Sequence, residues 1–213
     1  MDFKSFITEG LYDATINHDS AKFIEETHGY AVYRGIEDGL NQPVKLPVRK
    51  DRKPKGMGNH IMRLFNKAFE EVHSVMDLRS SCVFATGDKG STNQFGQPFK
   101  IYPIGDYSYW WSDAVLDINY SRKWADHTKS RFFDKDAEDI WFPLYPKAGS
   151  FWVYYKWAEG LFKSPEVDEL IYPSIVEFIK WANYKNIDLV SAIKSGVEIM
   201  FICNSYWAVP DSH

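Results

Sequence analysis

The chain has 213 residues, 45% of them hydrophobic and 17% aromatic, enough to bury one sizeable core, and its net charge of -4 gives no global attraction to nucleic acid or to an anionic membrane surface. Its two cysteines, Cys82 and Cys203, lack the paired spacing of a zinc site or a redox dithiol and read as buried free thiols in a reducing compartment. No apolar run approaches the ~20 residues that span a bilayer, and Met1-Asp2-Phe3-Lys4 lacks the opening of a secretory signal, which predicts a soluble, intracellular protein with no membrane contact.

In chain order, Met1 to Glu9 form a short amphipathic piece ending in Ile7-Thr8-Glu9 before Gly10. Asp19 or Ser20 caps a short helix through Glu26, and His28-Gly29 ends it ahead of a strand from Tyr30 to Tyr33, with Arg34 directly after. From Asn41 to Gly58 the chain is basic and interrupted by Pro43, Pro47 and Pro54, which predicts a loop. Ile61, Leu64, Phe65, Ala68, Phe69 and Val72 recur at helical spacing and predict a helix from about His60 to His73.

Cys82 to Thr86 reads as a strand, and Gly87-Asp88-Lys89-Gly90-Ser91 as a turn into a short helix that ends near Phe95-Gly96. Another strand is expected over Phe99 to Ile104. The aromatic run Tyr107, Tyr109, Trp110, Trp111 suits either strand packing or a stacking platform. Ser121 to Gly149 is polar and irregular, and Phe151 to Trp157 is aromatic and of undecided type. After Pro173, Ser174 and Glu177 make a capping box for a helix faced by Ile175, Phe178, Ile179 and Ala182. A short helix from Asp188 to Lys194 stops at Gly196 and delivers the chain into Val197 to Cys203.

In that last strand, alternation puts Glu198, Met200 and Ile202 on one face and Val197, Ile199, Phe201 and Cys203 on the other. Both faces are apolar except at the carboxylate, and a charge is rarely set in such a strand unless it is paired or functional. Two other strand-like pieces each carry polar groups among apolar ones: Tyr33-Arg34-Gly35 and Val83-Phe84-Ala85-Thr86-Gly87-Asp88. Taken singly, Arg34 also reads as an ordinary strand-end arginine and Thr86 as a β-branched strand filler.

An arginine, a hydroxyl and a glutamate, in that order on three strands, resembles the ADP-ribosyltransferase family, whose members cleave NAD at the nicotinamide ribose and pass ADP-ribose to a nucleophile. The resemblance implies a single α+β domain over residues 10–213, with a mixed, split β-sheet, flanking helices and NAD in the cleft between its halves. It implies that Glu198 stabilises the positive charge that builds on the ribose, that Arg34 holds phosphate or ribose oxygens, and that Thr86 fixes the carboxylate rotamer. Arg34, Gly35, Thr86, Phe95 and Tyr102 would bind NAD as a substrate, with Phe95 or Tyr102 stacking on nicotinamide and no metal needed.

Two departures bear on the target. The second segment reads Thr86-Gly87-Asp88 instead of Ser-Thr-Ser, and Gly196 stands where arginine-modifying members carry Gln or Glu. The acceptor is therefore left open between a host protein, a nucleic-acid base and water.

Residues 1–9 look like the capsid-targeting leader of tailed-phage internal head proteins, which are cut after an aliphatic residue, any residue and glutamate. That implies a phage protein carried in the virion interior and released into the host cytoplasm; an ordinary first helical turn is the plainer alternative, and then the protein is simply cytoplasmic. The basic segment from Lys45 to Lys67 suits contact with NAD phosphates, with DNA packaged beside the protein, or with solvent alone. The competing class is a non-enzymatic phage head or host-takeover protein that binds DNA or a host protein. Dinucleotide-binding, phosphate-loop and nucleophile-elbow motifs are absent from the sequence, and no two of its six histidines are four residues apart.

Overall fold

A computed structural model of the protein describes residues 12–37, 39–50, 58–118, 128, 133, 139–140, 143, 150–158, 160–161 and 163–211. The expected leader over 1–9, the stretch 51–57 of the basic segment and most of 121–149 lie outside the described residues. Residues 10–213, expected as one domain, divide by contact density into two compact units: Met1–Arg49, Cys82–Asp113 and Lys185–His213 form the first, and Lys50–Ser81 with Ala114–Tyr184 the second.

The first unit carries every strand found among the described residues. Helices α1 (12–19) and α2 (Ala21–Thr27) precede β1 (Tyr33–Ile36) and β2 (Val44–Pro47). After the chain returns, β3 (Val83–Ala85), a 3₁₀ helix (Gly90–Phe95), β4 (Gln97–Pro103) and β5 (Ser108–Trp111) follow. A short helix (Leu189–Ser195) leads into β6 (Ile199–Ile202) and β7 (Ser205–Pro210). Two sheets result, one ordered β1-β4-β7-β2 and the other β3-β6-β5.

The architecture is α+β, and the sheet is split as expected. The expected mixed sheet is corrected: each registered pairing is antiparallel. The chain passes between the sheets through short links at 104–107 and 203–204, which reverse its direction from one sheet to the other, while neighbours within a sheet come from distant parts of the chain. One face of each sheet feeds a shared core. Phe99, Ile101 and Ala208 meet Val83, Ile199 and Phe201 there, closed by Phe23 of α2 and by Leu189, Ala192 and Ile193.

β2 falls inside what reads as a loop. It is an edge strand, where Pro47 and an outward Lys45 are tolerated because no ladder partner is needed on the open side, while Val44 and Leu46 turn toward the core. Cys82 is buried and Cys203 half-buried, and neither forms a disulfide; burial pushes the Cys203 thiol up to about 12.

The second unit is helical among its described residues. Here α3 (Asn59–His73) and α4 (Leu78–Ser81) precede α5 (Ser150–Ala158) and α6 (Pro165–Ala182), and the first unit's short helix is then α7 (Leu189–Ser195). The amphipathic stripe of α3 buries Ile61, Phe65, Ala68 and Phe69, with Phe65 edge-on to Phe178 of α6 at 6.1 Å. α6 begins eight residues earlier than Pro173: Ser164 accepts the Val167 N–H at its start, Pro165 occupies the first turn, and Pro173 lies inside the helix. An interior proline costs about 3 kcal/mol, and burial of Val167, Ile171, Ile175, Phe178 and Ile179 outweighs it. Ser174 is consequently a buried helix residue and not a cap.

Candidate active site

The end of β3 is joined to the start of β6 through the end of α7. Thr86 donates its hydroxyl proton to the Gly196 carbonyl at 2.7 Å and accepts the Asp88 N–H at 3.0 Å. Gly196 sits at φ +68°, a left-handed cap that glycine adopts freely, and it closes α7 with an N–H bond to Ile193. Gly87 is needed for contact, not for dihedral freedom: a Cβ there would lie 1.8 Å from the Ile193 carbonyl oxygen. Three chain segments are thereby tied within two residues of Glu198.

Register then fixes the neighbours of Ile199. Ala85 faces Ile199 across β3–β6, and Trp111 faces Ile199 across β5–β6. Glu198, expected inside this strand, lies one residue ahead of β6, and Thr86 and Ser112 lie one residue beyond β3 and β5. Glu198 is half-buried, and the two hydroxyl residues Thr86 and Ser112 are buried. A serine after an aromatic strand carries no signal of its own in the sequence, and Ser112 stands out only by its complete burial. The expected role of Thr86 also changes in detail. Its proton goes to the Gly196 main chain, two residues ahead of the glutamate, instead of to the carboxylate.

Arg34 lies where the two sheets part. Tyr33 and Thr86 exchange both main-chain hydrogen bonds, at 2.7 and 2.9 Å, and form an isolated antiparallel bridge between β1 and β3. Beyond that bridge Arg34 Nη1 donates to the Phe84 carbonyl at 3.0 Å. The guanidinium thus braces the split two residues before Thr86. Strand alternation puts Tyr33, rather than Arg34, on the face of β1 that Thr86 shares.

Gly35 and Phe95 are brought together. A Cβ on Gly35 would lie 2.5 Å from the Thr92 carbonyl oxygen and 2.7 Å from Phe95 Cβ, so the 3₁₀ helix rests directly on β1 there. The turn leading into it is held locally, Asp88 accepting from Gly90 N–H at 2.9 Å and Thr92 donating to the Lys89 carbonyl at 2.7 Å. Tyr102 is engaged elsewhere. It faces Trp207 in β7, meets Phe23 of α2 edge-on at 6.1 Å, and accepts from Ser20 on its carbonyl. Burial raises its phenol pKa. Of the two aromatics expected to stack on a substrate ring, Phe95 is the one beside Gly35.

Two described cations of the basic segment are engaged locally: Lys45 approaches Asp19 at 3.7 Å, and Lys67 lies over the Tyr172 ring at 4.1 Å. Among the described residues no group of three or more His, Cys, Asp or Glu is placed to hold a metal ion, and no helix is long and apolar enough to cross a membrane. Comparison of the chain with family models, with curated proteins and with solved structures finds no match.

Proposed function

We propose that the protein is an NAD-consuming mono-ADP-ribosyltransferase of phage origin that modifies a host macromolecule. In the reaction, the acceptor nucleophile bonds to C1′ of the nicotinamide ribose, and the C1′–N bond breaks with its electron pair leaving on nicotinamide. The acceptor's proton passes to solvent. Positive charge gathers on the ribose as the bond stretches, and the Glu198 carboxylate lowers the energy of that state more than of the bound substrate. Arg34 holds β1 against β3 and adds positive charge at the same junction, while Phe95 and Gly35 supply a surface for the nicotinamide ring.

The observation that supports this reading is the order β1, β3, β6 at the split between the sheets, where β1 meets the end of β3 at the Tyr33–Thr86 bridge and β3 pairs with β6. Support for the phage setting comes from the sequence of residues 1–9 alone. The two departures noted in the sequence leave the acceptor open between protein, nucleic acid and water.

The test is incubation of NAD labelled in its adenylate half with a bacterial lysate and either the native protein or Glu198→Gln. Label transfer by the native form, reduced by at least about a hundredfold in the variant, is the expected result. Failure of the native protein to bind NAD rejects the transferase reading and favours a protein that acts by binding DNA or a host protein.

A further inference from the structure

Asp211, the residue directly after β7, holds two lysines at once: its Oδ2 lies 2.7 Å from Lys89 Nζ and its Oδ1 2.8 Å from Lys100 Nζ. The two oxygens of one carboxylate are a fixed short distance apart, so the ammonium groups stand side by side. Two cations share one anion there, and the triad carries a net positive charge. The neighbouring Asp88 carboxylate is turned into its own loop by the Gly90 N–H. Both lysine side chains keep more than a third of their surface exposed, at 39% and 36%, whereas Asp211 keeps 12%. The carboxylate is therefore the fixed, inner member, and the ammoniums form the outer surface.

The position of this triad matters more than its charge. Lys100 faces Tyr33 across β4–β1, Tyr33 faces Thr86 across the bridge, and the β3–β6 ladder ends one residue short of Thr86 and Glu198, at Ala85 and Ile199. Opposed residues in antiparallel pairs share a face, so Thr86, Tyr33 and Lys100 form one row, and the Thr86 hydroxyl ties the end of that row to Gly196, two residues before Glu198. From β4 across β1 and β3 to the start of β6 is three strand spacings, or about 14 Å at about 4.8 Å each. Long side chains at both ends shorten that gap. Lys89 joins the Lys100 end because the turn after Thr86 folds back to Asp211.

We propose that Lys89 and Lys100, held side by side by Asp211, form the subsite for the diphosphate of a dinucleotide whose ribose lies at Glu198. The identity of the ligand rests on the transferase reading; the geometry of the subsite does not. Asp211 lowers the cost of bringing two like charges together and keeps both ammoniums aimed at one place. The carboxylate's own pKa is lowered by its hydrogen bonds from Lys100 and Lys89, so the clamp stays charged at neutral pH.

The probe is ADP, titrated by calorimetry into the native protein, Lys89→Met, Lys100→Met and Lys100→Arg, at low and high salt. Expected are binding by the native form that weakens with salt, a loss of at least about tenfold in each methionine variant, and retention of affinity in Lys100→Arg. Nicotinamide riboside, which lacks phosphate, is expected to bind native and methionine variants within about twofold of each other; an equal loss for both ligands means general damage and overturns the proposal. ADP affinity unchanged in both methionine variants, or no ADP binding by the native protein, also overturns it. ADP binding through the lysines without any label transfer from NAD leaves the subsite standing and removes the transferase. Glu198-dependent transfer with lysine-independent ADP binding does the reverse.

Discussion

Arg34 Nη1 occupies the place at the Phe84 carbonyl, 3.0 Å away, that the main chain of Gly35 would take if β1 and β3 stayed paired beyond Tyr33 and Thr86. The bridge register sets Gly35 opposite Phe84 one pair further on, but the sheets diverge there, and a guanidinium satisfies the carbonyl that the divergence strands. An arginine after Tyr33 is thus explained by hydrogen-bond accounting at the split before any substrate is considered.

Replacing Arg34 by methionine leaves that carbonyl without its donor, a loss of about 1–3 kcal/mol. Arg34→Lys, which keeps a charged donor of similar reach, is expected to recover part of it. Urea unfolding of the three proteins checks this, and equal midpoints for native and methionine forms would refute the bracing role.

Thr86→Val is nearly isosteric but removes both an acceptor for the Asp88 N–H and a donor to the Gly196 carbonyl. It is expected to cost about 1–3 kcal/mol, with Thr86→Ser close to native. Because Gly196 is two residues from Glu198, Thr86→Val is also expected to lower turnover of NAD more than its binding. An unaltered ratio of kcat to KM contradicts this.

Gly87→Ala drives a Cβ to within 1.8 Å of the Ile193 carbonyl oxygen, a main-chain atom that cannot swing aside. Overpacking of this kind costs about 1–3 kcal/mol or more, and the thermal midpoint of the first unit is expected to fall by several degrees. Gly29→Ala is a useful contrast: open space surrounds its missing Cβ, and only its φ of +80° opposes the substitution.

The second unit contains a buried imidazole with a pH consequence. Burial holds His60 below the ordinary histidine value, against the attraction of Asp168, whose Oδ1 is 3.9 Å from Nε2, and with Arg63 and Lys163 acting in the same direction as burial. A histidine with a lowered folded pKa binds fewer protons folded than unfolded, so stability falls as pH drops below the unfolded value of about 6.5. His73 is lowered by burial as well and contributes in the same sense. The urea midpoint is therefore expected to fall between pH 7.5 and pH 5.5, and to fall less in His60→Gln. Identical losses in the two proteins would show that His60 plays no part.

Local rules read directly from residues held well here. The α3 stripe, the His28 cap of α2, the turn from Gly87 into the 3₁₀ helix and the Gly196 stop of α7 each depend on neighbours within a few positions. Where the local signal competed with burial, it lost. Pro173 reads as a helix boundary, yet α6 runs through it because the apolar face on both sides is buried. Pro47 and Lys45 read as loop, yet β2 forms because an edge strand has one side on which both are harmless.

The sequence by itself determined that this chain carries Arg34, Thr86 and Glu198 on three extended segments, since period and composition act locally. It did not determine which segments are neighbours. Pairing between strands is a matter of main-chain hydrogen bonds that are nearly blind to side-chain identity, so only the folded register turned the Thr86 proton to Gly196, carried Arg34 to Phe84, and aligned Lys100 with Tyr33 and Thr86.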